Sequence, residues 1–287
     1  MKLSVALCTY NGSLFLNKQL DSILNQTIPI HEIVICDDNS TDETIAIINS
    51  YKNKYPKLIK VYQNNPGLGT IKNFEKAIQH TSGDLIFLSD QDDIWYYEKV
   101  ARSYKFFEEN QECVLLFSNG NLINSDDKYI GSTLWDKWGF DEEVKSIWKD
   151  QKKAYISLVN GNNKITGATV CFKKSLKSKI FPIKLPLNYW HDGWLGTHAA
   201  AQEGLFFINE SLIQYRIHSN QQVGISKEGL DDTIFAANRN FIARVEYFDE
   251  LKKIYPHLKK YLPYPKKKSI LKTIILKIKR GINLLMN

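Results

Sequence analysis

The chain has no uninterrupted apolar run near the roughly 20 residues that a membrane-spanning helix needs. It has only four cysteines, Cys8, Cys36, Cys113 and Cys171, and no CxxC pair. Each sits in an apolar, strand-like context, the pattern of reduced core thiols in a cytosolic protein rather than of metal ligands or disulfides. No small-residue cleavage site follows the first apolar stretch, which runs straight into Tyr10-Asn11-Gly12, so that stretch reads as a buried strand and not as a signal peptide. Internal repeats and low-complexity linkers are missing before Pro263. The body also lacks net charge. Seven of the 38 basic residues lie at or beyond Lys266 with no acid among them, and the remaining 31 balance the 31 acids, so the formal charge of +7 belongs to a tail. A neutral body argues against a nucleic-acid groove, which needs clustered cations on the binding face.

What is present is a core-forming composition, 43% hydrophobic and 12% aromatic over 287 residues, and a rhythm. Apolar runs at 3–9 (LSVALCT), 32–36 (EIVIC), 58–62 (LIKVY) and 84–89 (DLIFLS) alternate with helical patterns. One carries Leu16, Leu20, Ile23 and Leu24; the next carries Ile45, Ile48 and Tyr51 behind a Ser40/Glu43 capping-box signature; a third covers about 70–80. This predicts βαβ units and a parallel sheet, whose strands are buried on both faces and whose ligands sit beyond the strands' C-terminal ends. Later expectations are a helix at about 96–110, strands at 113–118, 168–173 and 205–208, a helix from near Asp192, a polar loop through His218, and a long helix at 231–255. The segment 126–162 has no clear periodicity.

The strand ends carry the chemistry. Asp90 and Asp92, one residue apart, can hold Mg²⁺ or Mn²⁺ together with substrate phosphates, or form a solvated acidic turn. Asp37-Asp38 can accept the imide N–H of a uracil or thymine base, or cap a helix. Gly67-Leu68-Gly69 fails the GxGxxG spacing and is not the first βα turn, so a dinucleotide fingerprint is excluded.

Seven segments in order, LCTYNG (7–12), ICDDNSTDET (35–44), NPGLGTIKNF (65–74), FLSDQDDIW (87–95), KITGATVCF (164–172), YWHDGWL (189–195) and YRIHSNQQVG (215–224), resemble the family 2 glycosyltransferases, and among them the bacterial rhamnosyltransferase-like branch. The resemblance implies an α/β GT-A nucleotide-sugar-binding fold, with a mainly parallel central sheet flanked by helices and a C-terminal helical extension. It divides the chain into a nucleotide-sugar half (1–100), an acceptor and catalytic half of the same domain (101–225), a helical segment (226–262) and a basic tail (263–287). It implies that Thr9, Tyr10, Asn11, Asp38, Lys72, Asn73 and Asp90 lie about the donor nucleotide, and that Asp90, Asp92 and His218 hold Mn²⁺ or Mg²⁺. Thr166, Gly167, Trp190, His191, Trp194 and Arg216 would lie at the donor sugar or acceptor, and Asp192 would be the base. His191-Asp192 stands where Glu-Asp is common, so one carboxylate of that pair is kept. The QxxRW motif of processive polymerases is absent, which implies one sugar per event.

The expected partners are a UDP- or dTDP-sugar donor and a saccharide acceptor, lipid-linked if the tail is an address. Ile270, Leu271, Ile274, Ile275, Ile278, Ile282 and Leu285 fall on one side of a helical wheel and Lys268, Lys272, Lys277, Lys279 and Arg280 on the other, with Leu276 and Leu284 breaking the pattern. That is the build of an interfacial helix on an anionic membrane, which would place the enzyme at the inner face of the cell membrane; docking on the body or in a homo-oligomer is the alternative. A nucleotidyltransferase would share the sheet and metal carboxylates but carry a Gly-rich basic loop after the first strand, which Thr9-Tyr10-Asn11-Gly12 is not. A non-catalytic scaffold would have no reason to keep Asp38, Asp90, Asp92 and Asp192 together.

Overall fold

The computed structural model describes residues 1–186, 188–219 and 234–264, with the backbone alone for 234–241. The cationic tail and the end of the YRIHSNQQVG segment lie outside the described residues. Contacts divide the described chain into a larger unit, 1–183 with 190–219, and a smaller one, 184–189 with 234–264. No described helix is long and apolar enough to cross a membrane.

The larger unit is built on one sheet. Its first half alternates β1 (Leu3–Thr9), α1 (Leu16–Leu24), β2 (Glu32–Asp37), α2 (Thr44–Lys54), β3 (Ile59–Gln63), α3 (Thr70–His80) and β4 (Leu85–Ser89). The predicted apolar runs form these strands, and every residue of β1, β2 and β4 is buried. The predicted capping box does not form. Ser40 donates its N–H and hydroxyl to Asp37, and Asp42 accepts the Thr44 N–H at 3.0 Å, so the turn after β2 is closed before α2 begins.

The second half adds β5 (Ile94–Trp95), α4 (Lys99–Glu109), β6 (Leu115–Ile123), β7 (Tyr129–Thr133), α5 (Leu134–Trp138), α6 (Glu142–Trp148), α7 (Gln151–Val159), β8 (Val170–Lys173), α8 (Lys177–Ile180), α9 (His191–Ala200) and β9 (Leu205–Arg216). The aperiodic 126–162 region is thus one edge strand and three short helices. Trp135, Phe140 and Trp148 from it pack around Phe117 of β6. The last strand runs to Arg216 rather than stopping near 208, because it pairs with β6 along its length, through two register shifts.

Strand order is β3-β2-β1-β4-β8-β6-β9-β5, with β7 beside β6. This order decides where the site lies. β1, β2, β3 and β4 are parallel and in register, with Thr9 opposite Asp37 and Leu7 opposite Ser89, so their C-terminal ends are level. β8 is antiparallel to β4, pairing Phe87 with Cys171, so the residues just before β8 reach the same edge. β6 and β9 again run parallel to β4, which carries Arg216 and His218 there too. β5 is antiparallel to β9 and brings Asp93 back against Arg216.

In the smaller unit, α10 (Ile234–Ile254) is followed by a 3-10 turn at Pro256–Tyr261. Tyr247 packs its ring on Tyr189 and Phe248, and Phe248 on Tyr264, whose hydroxyl donates to Asp249 at 2.9 Å.

Candidate active site

The acidic turn after β4 is the centre of the C-terminal edge. Asp90 and Asp92 are partly exposed and Asp93 is buried. Burial, with the charges of Asp92 and Asp192 behind it, pushes the Asp90 carboxyl up to about 7. Asp192 therefore lies close enough to be felt by Asp90, although the two are far apart in sequence and stand on different elements. Beneath them is a residue that sequence reasoning missed. Lys99, at the start of α4, is buried, donates to the Ala168 carbonyl at 2.7 Å and stands over the Trp95 ring. Burial lowers its ammonium to about 7 against the pull of Asp93 and Asp90. In its protonated form this buried amine offsets part of the repulsion among the carboxylates, and only the folded chain could reveal that placement.

His218 Nε2 lies 2.9 Å from Asp92 Oδ2, with both side chains open to solvent by a little over a tenth. Arg216 is different. It is fully buried, donates through Nε to the Asp92 carbonyl at 2.7 Å and through Nη1 to the Asn124 carbonyl, pairs with Asp127, and covers the Phe15 ring. The expectation that Arg216 faces a sugar or leaving group is corrected on this ground: its guanidinium has no exposed face. It holds the Asp92 loop in place.

The nucleotide side is similarly divided. Tyr10 is 37% exposed at the end of β1, while Thr9 is buried and donates to Asp37. Asn11 accepts the Thr41 N–H at 2.8 Å and ties β1 to the turn after β2. Asp38 accepts from Asn64 Nδ2, Leu68 N and Gly69 N, which uses three of the roughly four acceptor sites of a carboxylate and pins the 64–69 loop. Asn73, expected near the nucleotide, is buried instead, donating to the Cys36 carbonyl and accepting from Asn64. Lys72 is drawn to Glu75 and the Ile183 carbonyl.

Gln91, the middle residue of the DxD, was also missed. It accepts the Tyr10 N–H at 2.7 Å and returns its own amide N–H to the Tyr10 carbonyl at 2.9 Å. Glycine at position 12 leaves room for this clip, because a Cβ there would lie 2.2 Å from Gln91 Oε1 and the Gln91 side chain would have to swing away. Gly12→Ala should release this clip and destabilise the fold by about 1–2 kcal/mol, the worth of two partly exposed hydrogen bonds, measured by urea unfolding. Unchanged stability would mean that the clip contributes nothing.

Asp192 is the second residue of α9. Its Oδ1 accepts the Gly193 N–H at 2.6 Å and Asn163 Nδ2 at 2.9 Å, and its Oδ2 accepts the Gly167 N–H at 3.1 Å. Burial raises its carboxyl to about 6, against the lowering effect of these bonds. His191 is buried, stacks on Phe74 at 4.2 Å, and is held neutral by burial, its pKa lowered to about 4. Gly167 is small for this ring: a Cβ would sit 2.9 Å from His191 Nε2. Trp194 is buried and gives its indole N–H to the Ile180 carbonyl, so it packs the core instead of meeting an acceptor. Trp190 is 38% exposed. Trp138, in the stretch with no readable periodicity, is also exposed, and donates its indole N–H to Thr166 Oγ1 at 3.0 Å, one residue from Gly167.

The sequence profile of Glycosyl transferase family 2 matches residues 4–171, more than half of the chain and the stretch that supplies β1 to β6 and the acidic turn. The chain belongs to glycosyl transferase family 2. This glycosyltransferase is 27% identical over 261 residues to an uncharacterized glycosyltransferase of Nostoc sp., covering 86% of the chain and 77% of the relative. It is 28% identical over 242 residues to the dTDP-rhamnosyl transferase RfbG of Shigella flexneri, covering 76% and 73%. Among solved structures it shares the fold of S. aureus TarS 1–349 in complex with UDP-GlcNAc, with a TM-score of 0.60 at 17% identity over 88% of this chain and 71% of that one. It also shares the fold of the mannosyltransferase PcManGT from Pyrobaculum calidifontis in complex with GDP-Man and Mn²⁺, at TM-score 0.52 and 17% identity, covering 91% and 69%.

Among the described residues of the glycosyltransferase, no three His, Cys, Asp or Glu side chains gather into a ready-made metal site. The donor set still suits one divalent ion. A carboxylate oxygen and an imidazole nitrogen face each other at 2.9 Å and are partly open to solvent. Mg²⁺ and Mn²⁺ sites of this kind take one or two carboxylates and fill the remaining positions with water and substrate phosphates.

Proposed function

We propose that this enzyme is an inverting, metal-dependent, non-processive glycosyltransferase that moves one sugar from a UDP- or dTDP-sugar to a saccharide acceptor of a bacterial surface polysaccharide or glycoconjugate. The observation that carries the reading is that Asp192 accepts the Gly167 N–H, just before β8, whose antiparallel pairing with β4 brings that segment to the edge where the acidic turn begins. In this reading Asp192 takes the proton of the acceptor hydroxyl as that oxygen attacks the anomeric carbon. The bond to the nucleoside diphosphate breaks with its electron pair leaving on the phosphate. A single displacement inverts the anomeric centre and needs one base and no covalent nucleophile. A carboxyl near 6 is charged at neutral pH yet more basic than an ordinary aspartate, which suits proton abstraction. Asp92 and His218, with Asp90 beside them, would hold the divalent ion, which when bound offsets charge developing on the diphosphate.

Tyr10 and Asp38 frame the base, Asp38 through its remaining acceptor site, and Trp190 and Trp138 offer stacking faces to the acceptor. Rhamnose as the donor sugar is supported by the relative named a dTDP-rhamnosyl transferase. The test is release of nucleoside diphosphate from a panel of UDP- and dTDP-sugars with Mn²⁺ or Mg²⁺. Failure with every donor would defeat the reading.

The basic segment 266–287 supports attachment to an anionic membrane surface at the cytoplasmic face, where a lipid-linked acceptor would be presented. Replacing Lys266, Lys267, Lys268 and Lys272 by Ser in the full chain should weaken sedimentation with phosphatidylglycerol vesicles and leave donor hydrolysis unchanged. Equal sedimentation would count against the membrane role.

A further inference from the structure

Building on Asp192 as the base, we propose that Asn163 is its positioning residue, fixing the carboxylate so that one lone pair of Oδ2 faces the acceptor. The argument begins with the orientation of the Asn163 amide. Its Oδ1 accepts the Ile165 N–H at 3.0 Å, and its Nδ2 donates to the Ile165 carbonyl at 3.0 Å and to Asp192 Oδ1 at 2.9 Å. A flipped amide would set N–H against N–H at Ile165 and oxygen against oxygen at both the Ile165 carbonyl and Asp192. The backbone of Ile165 therefore decides that a donor, and not an acceptor, points at the base.

The approach is close by design of the neighbours. A Cβ on Gly193 would lie 3.2 Å from Asn163 Cγ, so glycine at the third residue of α9 leaves room for the amide. With Gly193 N–H also on Oδ1, that oxygen is committed twice. Oδ2 accepts the Gly167 N–H at 3.1 Å, the longest of the three bonds, and is the oxygen assigned to the acceptor proton. Donors from Gly193, Gly167 and Asn163, with the N–H of Asp192 itself, thus set the plane of a carboxylate that burial alone would push toward the neutral acid. The other groups facing Asp192 do not substitute for Asn163. Asp90, on the turn after β4, is an acid and repels its charge. Tyr215, on β9, is a phenol lifted above its ordinary range by burial and by the same carboxylates. His191, its neighbour on α9, is neutral.

The experiment titrates the Asp192 carboxyl in the full-length free protein by ¹³C NMR, assigned by its disappearance in Asp192→Asn. Nucleoside diphosphate release from dTDP-rhamnose and UDP-GlcNAc is measured beside it. Asn163→Ala and the isosteric Asn163→Asp should both move the titration upward by roughly one pH unit, the worth of one hydrogen bond to a charged group. The aspartate should move it further, because two carboxyls then share the space. Both should lower kcat on the order of tenfold or more with the donor KM unchanged. Thermal unfolding of each variant checks that the fold is kept, and Asn163→Asp retains the acceptor for Ile165 N–H should Asn163→Ala loosen the loop.

A titration that stays in place in both variants overturns the inference. So does full turnover in Asn163→Asp beside an inactive Asp192→Asn, which leaves the base reading standing. Full turnover in Asp192→Asn would remove the base reading itself, and the catalytic role of Asn163 with it.

Discussion

Asp192→Asn should lower turnover by roughly a thousandfold, within the range of 10²–10⁴ that a positioned general base contributes, and leave donor affinity nearly unchanged. The substitution keeps size and shape, removes the basic lone pair, and turns one acceptor oxygen into an NH2 that faces a donor such as the Gly167 N–H. The wild-type enzyme should gain activity as pH rises through about 6, where the raised Asp192 carboxyl loses its proton, and this acid limb should vanish in the variant. Stability separates the loss from misfolding. A carboxyl held above its ordinary 3.8 binds its proton more tightly in the folded than in the unfolded chain. Its contribution is therefore fully present below about pH 4 and is lost as pH rises through 6. At pH 7 the charged group is a cost of the fold, which Asp192→Asn removes while setting its NH2 against one N–H donor, so the variant should unfold at a urea concentration close to wild type. Turnover near the wild-type level would mean that another group takes the proton.

Asp92→Ala should abolish stimulation by Mn²⁺ or Mg²⁺ and cut nucleoside diphosphate release on the order of a hundredfold or more, because charge stabilisation by a bound cation is worth several kcal/mol and each 1.4 kcal/mol is a factor of ten. Chelation of the wild-type protein should give a comparable loss that added Mn²⁺ restores, and the variant should not be rescued. The turn itself should survive, because Arg216 grips the Asp92 carbonyl and not its side chain, and Gln91 clips the same turn to Tyr10. Metal-stimulated release in Asp92→Ala at the wild-type rate would exclude Asp92 as the principal ligand.

The two residues sit on opposite sides of what could be read in advance. Asp92 follows β4, a strand whose five residues are all buried. Such strands appear in a sequence as unbroken apolar runs, and their polar ends mark the ligand edge. The partners that give Asp192 its character were not legible. Gly167 and Gly193 act through backbone N–H groups, which any residue possesses, and Asn163 lies in a loop without periodicity. Lys99 looked like one more lysine on a helix until α4 placed it under the acidic turn.

Aromatic and polar residues show the same division. Trp190 and Trp194 are four residues apart and identical in type, yet one is 38% exposed and the other 2%. The resemblance places Asn73 and Arg216 at the ligand, and in the folded chain both are buried braces. Hydrogen-bonding capacity is a property of the side chain; whether it is spent on a ligand or on the protein depends on what folds against it.

The sequence by itself determined the βαβ half and the order of the acidic strand ends, because local periodicity and residue type suffice for these, and its seven ordered motifs carried the resemblance to the family. It also located all of the excess charge in the last two dozen residues. Only the tertiary structure decided the second half of the sheet, where β8 runs antiparallel between β4 and β6 and β9 follows β6 to Arg216. Those pairings join residues 50 or more positions apart, and it is they that set Gly167, His218 and the start of α9 around the carboxylates. Long-range register leaves no local pattern in the chain, and here it is what assembles the candidate site.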